Sequence, residues 1–546
     1  MPRTTIPVLP FRHFLTYDEL TDYVKALAAA RPGLAGLGSL GTSREGREIW
    51  RLTITDYATG APEDKPAYLI HGNIHAPELS GAHAALYTAQ RLLSDYPSRT
   101  KLLERVAFHI VPRLNPDGAE AVVTTSANVR SRMDCANLPP NTLVGKDMDG
   151  NGLVVSMRQE RPDGDMARDP KDPRLLVRRQ ADSEGPFYKV YAEGEILNWD
   201  GSDSIRSEGR HIDWNRQWGF DWKPEPEQGG AGDFPYSEPE MRAIAEFITG
   251  SSNLFGILGY HTGPAAFLRP PSAPGDDALD EGDVRRMEEL GAVATEHTGL
   301  PVTPVYRYCS TRSRGLKLHG HFPSTGYQHF GLFVFEFELG TIMDSAGMGF
   351  KEVMSWQTEE QRLEGPRRLM RWWDRNGRKP VIFLPWKKFR HPQLGPVEIG
   401  GRVLRDWAGM TLPDLKKRCE GTYKYTLHHA GQHPDVRLEQ ARAEAVGEGL
   451  WRVRARVANR GVFPTHVSAR GAKLKRPPTV RVEFHPPRGA ELLSQHGHQE
   501  IGHLAGATGS RALEWFVRAP AGSACRIAVF GGAGGNDSAV VKLKRP

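Results

Sequence analysis

Four short, nearly continuous apolar runs frame most of the chain: Ala67-Tyr68-Leu69-Ile70, Val106-Ala107-Phe108-His109-Ile110-Val111, Leu254-Phe255-Gly256-Ile257-Leu258-Gly259-Tyr260 and Phe333-Val334-Phe335. Runs of this length without polar alternation predict strands buried on both faces. Helical patterns lie between them. Thr16-Tyr17-Asp18-Glu19 reads as a capping box, followed by Leu20, Val24 and Leu27 at helical spacing and Gly33 as a stop. Leu79 to Tyr96 predicts a second helix, and Ser237-Glu238-Pro239-Glu240 opens a third. Val284, Met287, Leu290 and Val293 form an apolar stripe suited to a core face, and a last helix is predicted from about Thr358 to Asp374. Strands alternating with helices imply an α/β/α sandwich around a mostly parallel or mixed sheet. Ligands in such folds gather at the carboxyl ends of the strands.

The texture changes after about residue 420. Trp451 to Val457, Thr479 to Phe484 and Arg526 to Phe530 alternate polar and apolar strictly, between Gly, Pro and Asn turns. That pattern predicts a smaller all-β sandwich. At 546 residues the chain exceeds one core, and two domains are expected. The reading is a main α/β domain over 1–385 with a charged stretch at about 133–208, an ordered linker over 386–420, and a β-sandwich over 421–546.

Candidate chemistry falls at the strand ends. His75 and Glu78 follow the first run, and residues at this spacing share one side of a helical turn, so both can bind one metal. His261 ends the third run, and Phe335-Glu336-Phe337-Glu338-Leu339 ends the fourth with two carboxylates. Two histidines, one glutamate and a water are an established catalytic zinc set, to which a further Glu adds a base.

The order HxxE, Asn115-Pro116-Asp117-Gly118, Asp213-Trp214-Asn215-Arg216, His261 and Phe337-Glu338-Leu339 resembles the zinc metallocarboxypeptidases of the carboxypeptidase A type, over roughly residues 16 to 380. The resemblance implies zinc held by His75, Glu78 and His261, with Glu338 as the base. It implies Asn215 and Arg216 clamping a terminal carboxylate, as a planar guanidinium pairs bidentately with one. Asp213 would orient His75. A further arginine would polarise the scissile carbonyl; spacing favours Arg130 and leaves Arg132 open. Strand periodicity does not separate Glu336 from Glu338, since both point to one face. The Asn-Pro-Asp-Gly segment reads as a turn.

Several positions depart from the family. Pro77 stands where an Arg is frequent, and Gln217 replaces an Asn. The window expected to hold a mobile tyrosine, Gly315 to His321, has none; Tyr306, Tyr308 and Tyr327 flank it, and His319 or His321 is either a substitute donor or, as loop histidines more often are, plain surface. The charged stretch is an insertion relative to the family. Its Asp147-x-Asp149-Gly150-Asn151 loop matches the start of a calcium loop, with Asp147, Asp149 and Asn151 as ligands, but Arg158 stands at position 12; an Asp/Gly-rich turn is the other reading.

Composition excludes more than it assigns. The chain is 39% hydrophobic and 25% charged, and no apolar run approaches a membrane span. Net charge is +6, but the basic residues are dispersed without interleaved aromatics, which speaks against nucleic acid. Cys135, Cys309, Cys419 and Cys525 are scattered, without metal spacing, and read as reduced. The segment Met1 to Pro10 lacks a signal-like apolar region, so the expectation is a cytoplasmic protein, or a secreted one whose leader has been removed. The implied function is removal of C-terminal residues from peptides or proteins. An amidase or deacylase acting on small N-acyl or γ-glutamyl substrates with the same zinc, and an inactive zinc-bound scaffold, are the alternatives.

Overall fold

A computed structural model describes residues 5–134, 138–206, 210–273, 275–312 and 317–544, with the side chains of 310–312 set aside. The apolar runs assemble an eight-stranded mixed sheet, in the order Ala35–Thr42, Glu48–Ile54, Ala107–Val111, Ala67–Gly72, Leu254–His261, Phe333–Glu338, Ala266–Arg269, Val302–Pro304. The four strands read from the apolar runs are its centre and run parallel. Every residue of Ala67–Gly72, Leu254–His261 and Phe333–Glu338 is buried, which is why these segments carry no polar alternation.

Helices cover the sheet where the periodicity places them. Thr16 caps Tyr17–Ala30 reciprocally with Glu19, and Thr358 caps Glu359–Arg375 with Gln361. The helix Leu79–Asp95 is buried along most of its length. Its first turn presses directly on the strands: a methyl group on Gly72 would lie 2.5 Å from Gly81 O, and one on Gly81 would lie 2.7 Å from Tyr260 O. Two glycines therefore set how near the helix start, and with it Glu78, comes to the strand end.

Two regions differ from the sequence reading. The charged insertion, which shows no sustained apolar period, carries strands of its own. Ser156–Glu160, Phe187–Ala192, Met166–Arg168 and Leu176–Arg178 form an antiparallel sheet, completed by the hairpin Phe383–His391 and Gly395–Arg402. The segment expected as a linker over 386–420 thus supplies two strands to the insertion's sheet. Met157, Ile196, Val397, Ile399 and Val403 make a core of its own, contributed by segments over two hundred residues apart. Local periodicity was thin because neither half buries a full face alone.

The following helix, Leu412–Gly431, runs across the boundary expected at 421 and packs on the main sheet, with Leu415, Cys419, Tyr423 and Tyr425 in the principal core. Its buried side includes Thr422 and Thr426, whose hydroxyls return to backbone carbonyls of their own helix at 3.1 and 2.9 Å. Polar residues satisfied in this way erase an apolar stripe from the sequence. From Val436 onward, two four-stranded antiparallel sheets enclose Trp451, Val453, Val482, Trp515 and Ile527.

Cys419 and Cys525 are free thiols, and Cys135 lies outside the described residues. No helix among the described residues is long and apolar enough to cross a membrane.

Candidate metal centre

His261 and Glu338 are the last residues of adjacent parallel strands and are register partners. His75 and Glu78 sit on the loop from Ala67–Gly72 into the helix Leu79–Asp95. That loop turns at Asn73, whose φ of 56° is left-handed and whose side-chain amide donates to the His75 carbonyl at 2.7 Å. Asn tolerates this conformation because its short amide bonds the neighbouring backbone. The Asn-Pro-Asp-Gly segment is a helix start rather than a free turn: Asn115 caps Pro116–Thr125, accepting from Gly118 N at 2.9 Å. The Asn115 amide also donates to Ile74 O and Ser131 O at 3.3 and 2.7 Å, and Ala76 N donates to Arg130 O at 2.7 Å. The motif pins the His75 loop to the segment that carries Arg130.

His75 Nδ1 is 2.8 Å from Glu78 Oε1, His261 Nδ1 is 3.0 Å from Glu78 Oε2, and the two Nδ1 atoms are 3.2 Å apart. The far nitrogens are both held by carboxylates, His75 Nε2 by Asp213 Oδ1 at 3.0 Å and His261 Nε2 by Glu336 Oε1 at 3.1 Å. Each carboxylate accepts the imidazole hydrogen on Nε2, which leaves Nδ1 of the neutral ring with a lone pair. In that protonation state two lone pairs and a carboxylate converge, in a pocket where all three residues are at most 4% exposed; without a metal, and against burial, Glu336 and Glu78 favour the charged form of His261. Such a donor set is repulsive by itself and fits a divalent cation of the zinc type.

Electrostatics around the cradle are dominated by paired charges. Burial pushes the Glu78 carboxyl up, but His75 and His261 outweigh it and hold it well below the usual range. Asp213 is likewise opposed by burial and held well below its usual value by Arg216, Arg130 and His75. Arg130 donates to Asp213 Oδ2 at 3.1 Å and to Glu78 Oε1 at 2.9 Å. Arg132, the other arginine left open by spacing, binds Glu238 through two nitrogens at 2.7 and 3.0 Å instead. Arg216 donates to Asn215 O at 2.7 Å and reaches within 3.6 Å of Asp213.

Asn215 departs from its expected place in a clamp. It is 2% exposed, its oxygen accepts from Phe322 N at 3.0 Å, and its nitrogen lies 3.1 Å from His321 Nε2 and 3.4 Å from Glu336 Oε1. The amide is spent on protein atoms. Gln217, where the family has Asn, is fully buried and donates to Ser237 Oγ at 3.0 Å.

Glu336 and Glu338 do share a face and have different surroundings. Glu336 is 1% exposed beneath His261, and opposing burial, His261 and His321 bring its carboxyl down to about 2. Glu338, at the strand end, is 9% exposed, and a methyl group on Gly263 would lie 2.7 Å from its Oε2 and 2.6 Å from the Tyr308 hydroxyl.

His321 corrects the reading of both loop histidines as surface. It is 6% exposed, and burial pushes its imidazole down to about 3; His319 is half-buried and pairs with Asp221 at 2.7 Å. Tyr327 donates to Asp283 at 2.8 Å and Tyr308 to Pro264 O at 3.1 Å. Gly315 and Leu316 of the tyrosine window lie outside the described residues. The parts sequence reasoning missed are the Glu336–His261 bond and the buried His321. A charge inside an otherwise apolar strand was the available signal, since such a group needs a partner.

Asp147, Asp149 and Glu193 bring one oxygen each within 4.8 Å. Backbone amides donate to all three: Gly150 and Gly152 to Asp147 at 2.8 Å each, Asn151 to Asp149 Oδ1 at 3.1 Å, and Met148 to Glu193 at 2.7 Å. Asn151 turns to Leu153 N at 2.9 Å. These are the bonds of an Asp/Gly turn, and calcium has no support here.

Residues 20–352 match the zinc carboxypeptidase family, and the chain belongs to it. Membership implies Zn2+ as the metal. Residues 435–542 match a domain family of unknown function. Among curated proteins, carboxypeptidase A2 of Rattus norvegicus is 32% identical over 155 residues, 27% of this chain and 36% of that protein. Carboxypeptidase B of Astacus astacus is 31% identical over 132 residues, 23% of this chain and 42% of its own. The matched stretches thus span well under two-thirds of these relatives. The carboxypeptidase A crystal structure from Helicoverpa armigera superposes with a TM-score of 0.43 and 15% identity, covering 68% of this chain and 76% of that one.

Proposed function

We propose that this protein is a zinc-dependent metallocarboxypeptidase that hydrolyses the C-terminal peptide bond of peptides or proteins. The observation that carries the reading is the convergence of His75, Glu78 and His261 on one point, with Glu338 as the register partner of His261. His75, Glu78 and His261 would hold one zinc ion, which would supply a Lewis acid and make water at the site more acidic. Glu338 accepts the proton from the attacking water and passes it to the leaving amine. Arg130, 40% exposed at its side chain and anchored on Asp213 and Glu78, faces the developing oxyanion with a charge already oriented. Arg216 takes the terminal carboxylate of the substrate, which confines cleavage to the last bond; Asn215 supports it from below rather than donating to the substrate.

A peptide-library digest read by mass spectrometry, with and without 1,10-phenanthroline, tests the reading. Loss of single C-terminal residues should stop with chelator and return with zinc. His75→Ala should lose the metal, while Glu338→Gln should keep it and lose turnover. Cleavage that is indifferent to the chelator would overturn the assignment.

A further inference from the structure

We propose that Glu336 is a positioning residue that acts through His261 to set how tightly the centre retains its metal, and that Asn215 and His321 hold Glu336 for that task. The inference rests on the metal centre proposed above and goes beyond its ligands. His75 and His261 are both backed by carboxylates, but the two partners are built differently. Asp213 is shared: it also receives Arg130 and, at 2.9 Å, Asn215 N. Glu336 has no arginine among its described partners. Its Oε1 meets His261 Nε2 at 3.1 Å and Asn215 Nδ2 at 3.4 Å, and its Oε2 lies 3.9 Å from His321 Nδ1.

The site around Glu336 is made to admit it. Its chain neighbours Phe335 and Phe337 are fully buried, so a charge in that strand is costly unless something compensates it. Its register partner is Gly259, where a methyl group would lie 3.2 Å from Glu336 Cγ and 3.1 Å from the His71 ring. The missing side chain is what leaves room for the carboxylate. Asn215 completes the arrangement. Its oxygen is fixed by Phe322 N, so its two amide hydrogens must point the other way, to His321 Nε2 and Glu336 Oε1. With Nε2 accepting, the hydrogen of His321 resides on Nδ1, on the side of Glu336 Oε2. The chain His321, Asn215, Glu336, His261 ends at the metal-facing nitrogen. A carboxylate on the far nitrogen fixes the ring's tautomer and tilt and makes the other nitrogen a stronger donor.

The test is equilibrium competition for zinc between the full-length protein and a chromophoric chelator, with the visible spectrum of the cobalt-substituted protein as a second readout. Glu336→Gln should weaken zinc binding about 10- to 100-fold and shift the cobalt bands, while the metal-free variant melts close to the metal-free parent. Asn215→Ala should weaken zinc in the same direction by a smaller factor. Glu338→Gln should bind zinc as the parent does. If Glu336→Gln does not fold, Glu336→Asp decides: it keeps the charge but shortens the reach, and should show the same direction of change. A parental zinc affinity and cobalt spectrum in a folded Glu336 variant would overturn the proposal. A parent that binds no zinc would overturn the metal centre itself, which is a different failure.

Discussion

Replacing Arg216 by Ala separates an exopeptidase from an enzyme that merely shares its zinc site. The Arg216 side chain is 12% exposed, with one donor on Asn215 O and its other arm 3.6 Å from Asp213. Truncating one partner of a buried charge-assisted pair costs about 2–5 kcal/mol. Asp213 already compensates part of this guanidinium and remains paired with Arg130 and His75 after the substitution, so the lower part of that range applies. About 2–3 kcal/mol corresponds to a loss of about 30- to 150-fold in kcat/KM for free-acid peptides. Peptides amidated at the C-terminus have no carboxylate to lose, so they should be poor substrates of the parent and nearly unaffected by the change. The assay is kcat/KM for matched free-acid and amidated peptides with parent, Arg216→Ala and Arg216→Lys. The lysine variant should recover part of the loss, because it restores charge without the planar fork. Equal cleavage of both peptide forms by the parent would refute the clamp and favour an amidase.

Arg130→Ala should lower kcat for every peptide with little change in zinc content, whereas Arg132→Ala should leave kcat intact. Denaturant titration should find Arg132→Ala about 2–3 kcal/mol less stable, because it strips the two-point partner from Glu238, which is 2% exposed. Calcium should leave the melting temperature unchanged, since the Asp147 loop is satisfied by its own backbone; a rise of several degrees would contradict that account. Buried His109 and His429 have imidazoles pushed down to about 3 by burial, so below about pH 6.5 the unfolded chain binds protons that the folded chain refuses. Stability should therefore fall with acidification between about pH 6.5 and 3, by about 1.4 kcal/mol per pH unit for each of the two. His109→Asn should reduce the stability difference between pH 7.5 and pH 5.5 in urea titrations by about 1.4 kcal/mol in all, since only the unit below pH 6.5 contributes; an unchanged difference would refute it.

The sequence by itself determined the frame and the candidate site residues. Strands buried on both faces write themselves as unbroken apolar runs, and capping residues such as Thr16 and Thr358 act within one turn, so both are local and legible. His75 and Glu78 were legible for the same reason, three residues apart on one turn, and His261 because it ends a strand that its run announces; Glu338 was chosen over Glu336 by the family motif, since strand phase is the same for both. Tertiary structure alone decided the rest. Whether Arg130 or Arg132 reaches the cradle depends on Glu238, a residue a hundred positions away that captures one of them. Two carboxylates of equal strand phase were separated only when the His261 ring came down on Glu336 from the neighbouring strand. Asn215 was claimed by Phe322 N and His321, neither of which its own motif contains. The segment read as a linker became two strands because Ser156–Glu160 offers an open edge, and the helix Leu412–Gly431 hid its buried face behind hydroxyls that bond its own backbone. Spacing along a chain fixes which residues share a turn or a strand face. Which partner a buried charge or amide finally takes is set by the surfaces that meet it, and those come from distant parts of the sequence.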